Sequence, residues 1–136
     1  MGSILLVESD PEIGDQWSAA LSAAGHTVHV ASASREALTL MREGGIELVV
    51  IDSPDPRAGV IELARGIEAL PEAPPMVLIS GSPHAPEISA RIGAATFVAK
   101  PCEPAEVVAV VNRLLNRTQP ARTFEDEPTG PKRQYG

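Results

Sequence analysis

Four apolar runs along this chain each end on a polar residue. Ile4-Leu5-Leu6-Val7 ends on Glu8, Leu48-Val49-Val50-Ile51 on Asp52, Met76-Val77-Leu78-Ile79 on Ser80, and Thr96-Phe97-Val98-Ala99 on Lys100. Short apolar runs set between helical patterns read as strands buried on both faces of a parallel sheet. They give strands at about 4–8, 47–52, 76–80 and 96–99. A weaker strand at about 27–31 has His29 between Val28 and Val30, and belongs on a sheet edge. Helical spacing fills the intervals. Pro11 opens a helix to about Ala24, with Asp10 as its N-cap, Gly25 as its stop, and Ile13, Trp17, Ala20, Leu21 and Ala24 along one side. Ser34 is placed to cap a second helix carrying Ala37, Leu38 and Met41, which Gly44-Gly45 stops. A proline-rich loop, Ser53 to Gly59, leads into a third helix at about 60–70, and Pro71 to Pro75 break the pattern. Gly81, Ser82, Pro83 and Pro86 form a loop before a short helix at about 87–92. The last helix, about Glu103 to Leu115, buries Val107, Val108, Val111, Leu114 and Leu115.

Strands alternating with helices imply right-handed βαβ crossovers and an α/β, doubly wound, five-stranded parallel sheet. Ligands of such sheets bind beyond the carboxyl ends of the strands. One sheet edge therefore gathers the carboxylates of Glu8 and Asp52, the hydroxyl of Ser80 and the ammonium of Lys100. That set suits phosphoryl chemistry. A carboxylate such as Asp52 can accept a phosphoryl group, and the transfer depends on positioning and charge neutralisation. Mg²⁺ supplies the latter from a site of one or two carboxylates, waters and phosphate oxygens, with Glu8 as one ligand. Lys100 pairs with the phosphoryl oxygens and Ser80 donates to one of them. The simpler alternative is that Asp52 only caps a strand end and pairs with Lys100. Four matching residues at four strand ends favour the chemical reading.

Composition narrows the picture. The chain has 136 residues and 43% hydrophobic content, enough for one ordinary domain. Its formal net charge of −7 argues against a nucleic-acid-binding surface. Residues 1–115 contain a single lysine, Lys100, among six arginines, which hints that position 100 needs a compact ammonium. Residues 117–136 lose periodicity and carry Pro120, Pro128 and Pro131, so they are expected to form a disordered tail behind a domain over residues 1–116. No apolar stretch approaches membrane-spanning length and no signal segment opens the chain, so no membrane association and a cytoplasmic location are expected. Cys102, the only cysteine, lacks an organised histidine partner and reads as structural. His26, His29 and His84 show no metal-ligand spacing and read as exposed, and Trp17 reads as packing.

Glu8, Asp52, Pro56, Ser80, Phe97, Lys100 and Pro101 together resemble the signature of bacterial response-regulator receiver domains, the class of the chemotaxis response regulator. The resemblance covers about residues 3–116. It implies a (βα)5 flavodoxin-like fold with strand order 2-1-3-4-5. It implies a phosphorylation-dependent receiver of a two-component system, taking a phosphoryl group on Asp52 from a histidine kinase or phosphotransfer protein with Mg²⁺. Catalysis would extend at most to its own phosphorylation and dephosphorylation, through Asp52, Ser80 and Lys100. The metal would sit on Glu8, Asp52 and the carbonyl of Pro54, with Asp10 as a possible substitute ligand. Phe97 would be the aromatic that turns inward when Ser80 moves, or else a plain core residue. Lys100-Pro101 would be a cis peptide, as is usual at this position. A downstream protein would dock on the face made by helix four, strand five and helix five, and the protein would be a monomer or weak homodimer.

Departures from the pattern define the alternative. Ser9 stands where the family usually has a second acid, a main metal ligand, so Mg²⁺ is expected to bind weakly. Gly59-Val60 replaces the usual Asp-Gly, and the Ser80 to Lys100 segment, which bears on the docking face, is about two residues short. A pseudo-receiver, a scaffold that binds partners without phosphorylation, is the competing reading. Ser9 favours it, while Asp52, Ser80 and Lys100 together oppose it. A nucleotide-binding flavodoxin-like domain is disfavoured because Glu8-Ser9-Asp10-Pro11 follows strand one in place of a glycine-rich phosphate loop.

Overall fold

The structure is a computed structural model that describes residues 2–57 and 59–118. The tail expected over residues 117–136 lies outside the described residues beyond position 118. Five strands and five helices alternate: β1 Ser3–Val7, α1 Pro11–Ala23, β2 Thr27–Ala31, α2 Ser34–Glu43, β3 Leu48–Asp52, α3 Val60–Glu68, β4 Met76–Ser80, α4 Ala85–Arg91, β5 Thr96–Ala99 and α5 Pro104–Thr118. All strand pairs are parallel, in the order β2-β1-β3-β4-β5. The expected edge position of β2 holds. α5 runs to Thr118, past the expected end at Leu115.

β3 and β4 are buried at every residue, which is why they read as unbroken apolar runs. Alternate residues of each strand feed two separate cores. Ile4, Leu6, Leu48, Val50, Val77 and Ile79 pack with Trp17 and Leu21 of α1 and with Val107, Val111, Leu114 and Leu115 of α5. Leu5, Val7, Val49, Ile51, Met76 and Leu78 pack with residues of α2, α3 and α4, including Ala37, Met41, Leu63, Ile67 and Ile88. This alternation fixes which face each strand-end residue occupies.

Four local expectations are corrected. Ser34 is the first residue of α2, and its N-cap is Ala33, which has no side-chain cap. Glu8 lies one residue past β1, although its N–H still donates to the Ala31 carbonyl at 2.9 Å. α4 begins at Ala85, so Pro86 sits inside its first turn, where a missing N–H leaves no helical bond unmade. His26 is buried: Gly2 N–H donates to its Nδ1 at 3.1 Å, and its Nε2 lies 2.7 Å from Asn112 Oδ1 of α5. The acceptor role of Nδ1 makes Nε2 the protonated nitrogen, so a neutral imidazole clasps the start of β1 to α5. His29 and His84 are exposed, as expected.

Candidate functional site

The site lies at the carboxyl ends of β1, β3, β4 and β5, where parallel-sheet geometry leaves a crevice. Asp52 is the last residue of β3 and pairs in register with Ile79, while Ser80 pairs with Ala99. The Ser53 N–H donates to the Ile79 carbonyl at 3.1 Å, and the Lys100 N–H to the Ser80 carbonyl at 3.1 Å. These bonds carry the ladder one residue past each strand end and hold the functional positions rigid. The Lys100–Pro101 peptide is cis, as expected.

Strand parity sorts the four residues. Asp52 follows Leu48 and Val50, and Glu8 follows Ile4 and Leu6, toward α1 and α5. Lys100 continues the parity of Val98, on the same side. Ser80 follows Met76 and Leu78, on the side of α2, α3 and α4, and Phe97 packs half-buried against that same core. Two carboxylates and an ammonium therefore meet on one face, while the hydroxyl and the aromatic belong to the other.

The charged groups are tightly placed. Lys100 Nζ lies 2.7 Å from Asp52 Oδ1, with the Asp52 side chain fully buried and that of Lys100 28% exposed. The Asp10 N–H donates to Glu8 Oε2 at 2.9 Å. Glu8 Oε1 and Asp52 Oδ2 are buried without a hydrogen-bond partner. Burial pushes the Glu8 carboxyl up to about 7, helped by the adjacent Asp52 carboxyl and its charge and opposed by the Asp10 N–H and Lys100.

Two orphaned acceptors on neighbouring buried carboxylates are what a hard cation requires. Among the described residues no group of three or more His, Cys, Asp or Glu side chains could hold a metal ion. The site thus offers fewer charges than a fully protein-held cation needs, yet suits Mg²⁺, which keeps several waters. Beside Asp52 a hollow of about 280 Å³ is lined by Ser9, Ser32, Ser34, Ser53 and Pro54 among others. Asp10 is exposed and engaged elsewhere: its Oδ1 accepts from the N–H groups of Glu12 at 2.9 Å and Ile13 at 3.5 Å, capping α1. Ser80 is fully buried, and its Oγ accepts from the Ser82 N–H at 3.1 Å. Burial raises the Cys102 thiol, which suits a structural residue better than a nucleophile.

One neighbour escaped the sequence reading. Lys100 Nζ stands 5.4 Å from the centroid of the Trp17 ring, within cation–π range. The signal was present: Trp17 and Leu21 lie on the buried stripe of α1 with Ile13 half-buried beside them, and a crossover helix starts beside the strand carboxyl ends. Helical spacing identified Trp17 as buried but not what it faces.

Residues 4–112 match the family model of the response regulator receiver domain. The transcriptional regulatory protein BaeR of Escherichia coli is 28% identical over 91% of this chain and 52% of its own length. The DNA-binding response regulator MtrA of Mycolicibacterium smegmatis is 30% identical over 92% of this chain and 53% of its own. The chain thus spans about half the length of these curated relatives. Among solved structures, the signal receiver domain of a histidine kinase from Syntrophus aciditrophicus superposes with a TM-score of 0.77 at 25% identity, covering 89% of this chain and 95% of that one.

Proposed function

The chain belongs to the response regulator receiver domain family, and from that premise we propose that it is a working phosphoacceptor whose acceptor is Asp52. The observation that carries this reading is a fully buried carboxylate with an ammonium at 2.7 Å and, beside it, a second buried carboxylate with one unpartnered oxygen. A scaffold has no use for so costly a cluster. An Asp52 oxygen attacks the phosphorus of a phosphohistidine on a histidine kinase or phosphotransfer protein. A P–O bond forms, the P–N bond breaks, and the imidazole leaves with its electron pair and takes up a proton. Lys100 pairs with the phosphoryl oxygens, and Ser80 turns its hydroxyl toward them. Glu8, Asp52 and the Pro54 carbonyl would hold Mg²⁺, which would supply neutralisation of the phosphoryl charge, with Asp10 adding negative charge from its cap. Ser9 lends no charge, so this metal would be held weakly. Phe97 shares a face with Ser80 and α4, which supports its role as the switch aromatic. The altered population is read by a protein docking on α4, β5 and α5. The domain acts as a monomer or weak homodimer in the cytoplasm; no described helix is long and apolar enough to cross a membrane.

Intact mass after incubation with acetyl phosphate or phosphoramidate tests the reading. One phosphoryl group is expected to appear on the wild type with Mg²⁺ and none on Asp52→Asn. Ser9 supports a second reading, a scaffold that needs no phosphorylation. An absent adduct even at high Mg²⁺, with beryllofluoride leaving the spectra unchanged, decides for it.

A further inference from the structure

The Lys100 ammonium has two neighbours of opposite character: the Asp52 carboxylate at 2.7 Å and the indole of Trp17 at 5.4 Å. Trp17 is only 5% exposed and anchored in the core shared by α1 and α5. Its ring forms one wall of a slot of about 220 Å³, with Ile13, Gln16, Pro101 and Cys102 around the lysine. Lysine carries its charge on a flexible four-carbon stem. The carboxylate tether weakens once an Asp52 oxygen bonds to phosphorus, because its charge then passes to the phosphoryl group. An indole face does not change in that step.

We propose that Trp17 is a positioning residue for Lys100, its ring face holding the ammonium beside Asp52 while the phosphoryl group arrives. This rests on the acceptor role of Asp52. The indole restricts the arc of the stem and leaves the ammonium free to turn from carboxylate to phosphoryl oxygen.

Trp17→Phe keeps a smaller aromatic face, while Trp17→Leu removes it, and both leave a void. Adduct formation from acetyl phosphate should slow on the order of threefold to tenfold in Trp17→Leu, with Trp17→Phe recovering most of the rate. Mg²⁺ affinity should hold in both. Equal rates in both variants, whether slowed or not, overturn the proposal. Lysine labelling supplies a second readout in the wild-type protein, since the chain has only Lys100 and Lys132. The Lys100 Hε protons should be shifted upfield by the indole ring current, with Lys132→Arg assigning the signals. An unshifted Lys100 overturns the role of Trp17 even where phosphorylation proceeds. No adduct on the wild type overturns the acceptor reading and this role with it, whereas the ring-current shift distinguishes that failure from a misplaced Trp17.

Discussion

Burial and the neighbouring Asp52 carboxyl hold Glu8 near pH 7, where an ordinary glutamate is ionised. Because the folded-state pKa lies above the unfolded value near 4.5, the folded chain keeps a proton that the unfolded chain releases. The stability this residue contributes is complete below about pH 4.5 and is lost as pH rises through about 7. A metal takes the ionised form, so Mg²⁺ affinity should rise about tenfold from about pH 6 to about pH 8. Calorimetric titration should show that rise with proton release, and Glu8→Gln should abolish the pH dependence. Ser9→Asp adds a carboxylate to the hollow beside Asp52 and should tighten Mg²⁺ on the order of tenfold; unchanged affinity would mean position 9 does not reach the metal. All four polar strand-end residues were legible in the sequence, since each closes an apolar run. The titration of Glu8 was not, because it depends on the depth and spacing of two carboxylates on different strands.

Helices show where local sequence rules govern and where they yield. Asp10 caps α1 as its residue type suggests, whereas α2 starts one residue early at Ser34 with an uncapped Ala33. Gly59, at φ 87°, stands as the N-cap of α3, a left-handed conformation that a glycine adopts without strain and that the loop Ser53 to Gly59 needs to turn into the helix. Gly14 is different: it is buried inside α1, and an added Cβ would meet Glu8 Cγ at 3.5 Å and Val30 Cγ1 at 3.7 Å, ordinary contact distances. Gly14→Ala should therefore stabilise the fold by about 0.5–1 kcal/mol, measured by urea unfolding. His26 exposes the limit of reading elements singly. One histidine after a helix stop carries no burial signal, and its partners Gly2 and Asn112 are distant in sequence. His26→Leu leaves Asn112 without its partner and should cost about 1–3 kcal/mol.

Across the whole molecule the sheet order, the two cores and the crevice all follow from apolar runs alternating with helical stripes, which is why the architecture could be read from the chain. What the pattern left out is contact between elements, such as the indole of α1 against the lysine after β5. The charge cluster should weigh on global stability asymmetrically. Lys100→Met strips the buried Asp52 of its counter-charge and should destabilise the metal-free protein by about 3–5 kcal/mol. Asp52→Asn relieves Glu8 and leaves a partly solvated ammonium, so its thermal midpoint without Mg²⁺ should equal or exceed that of the wild type. The alternation of side chains has a further consequence. Glu8, Asp52 and Lys100 continue the strand parity of one core and Ser80 and Phe97 that of the other, so the two sets can meet only at the rung beyond the strand ends. Under the phosphoacceptor reading that rung joins transmitter to receiver, so the surface over α4 could be rewritten by mutation, for a new listener, without touching the two carboxylates and the ammonium.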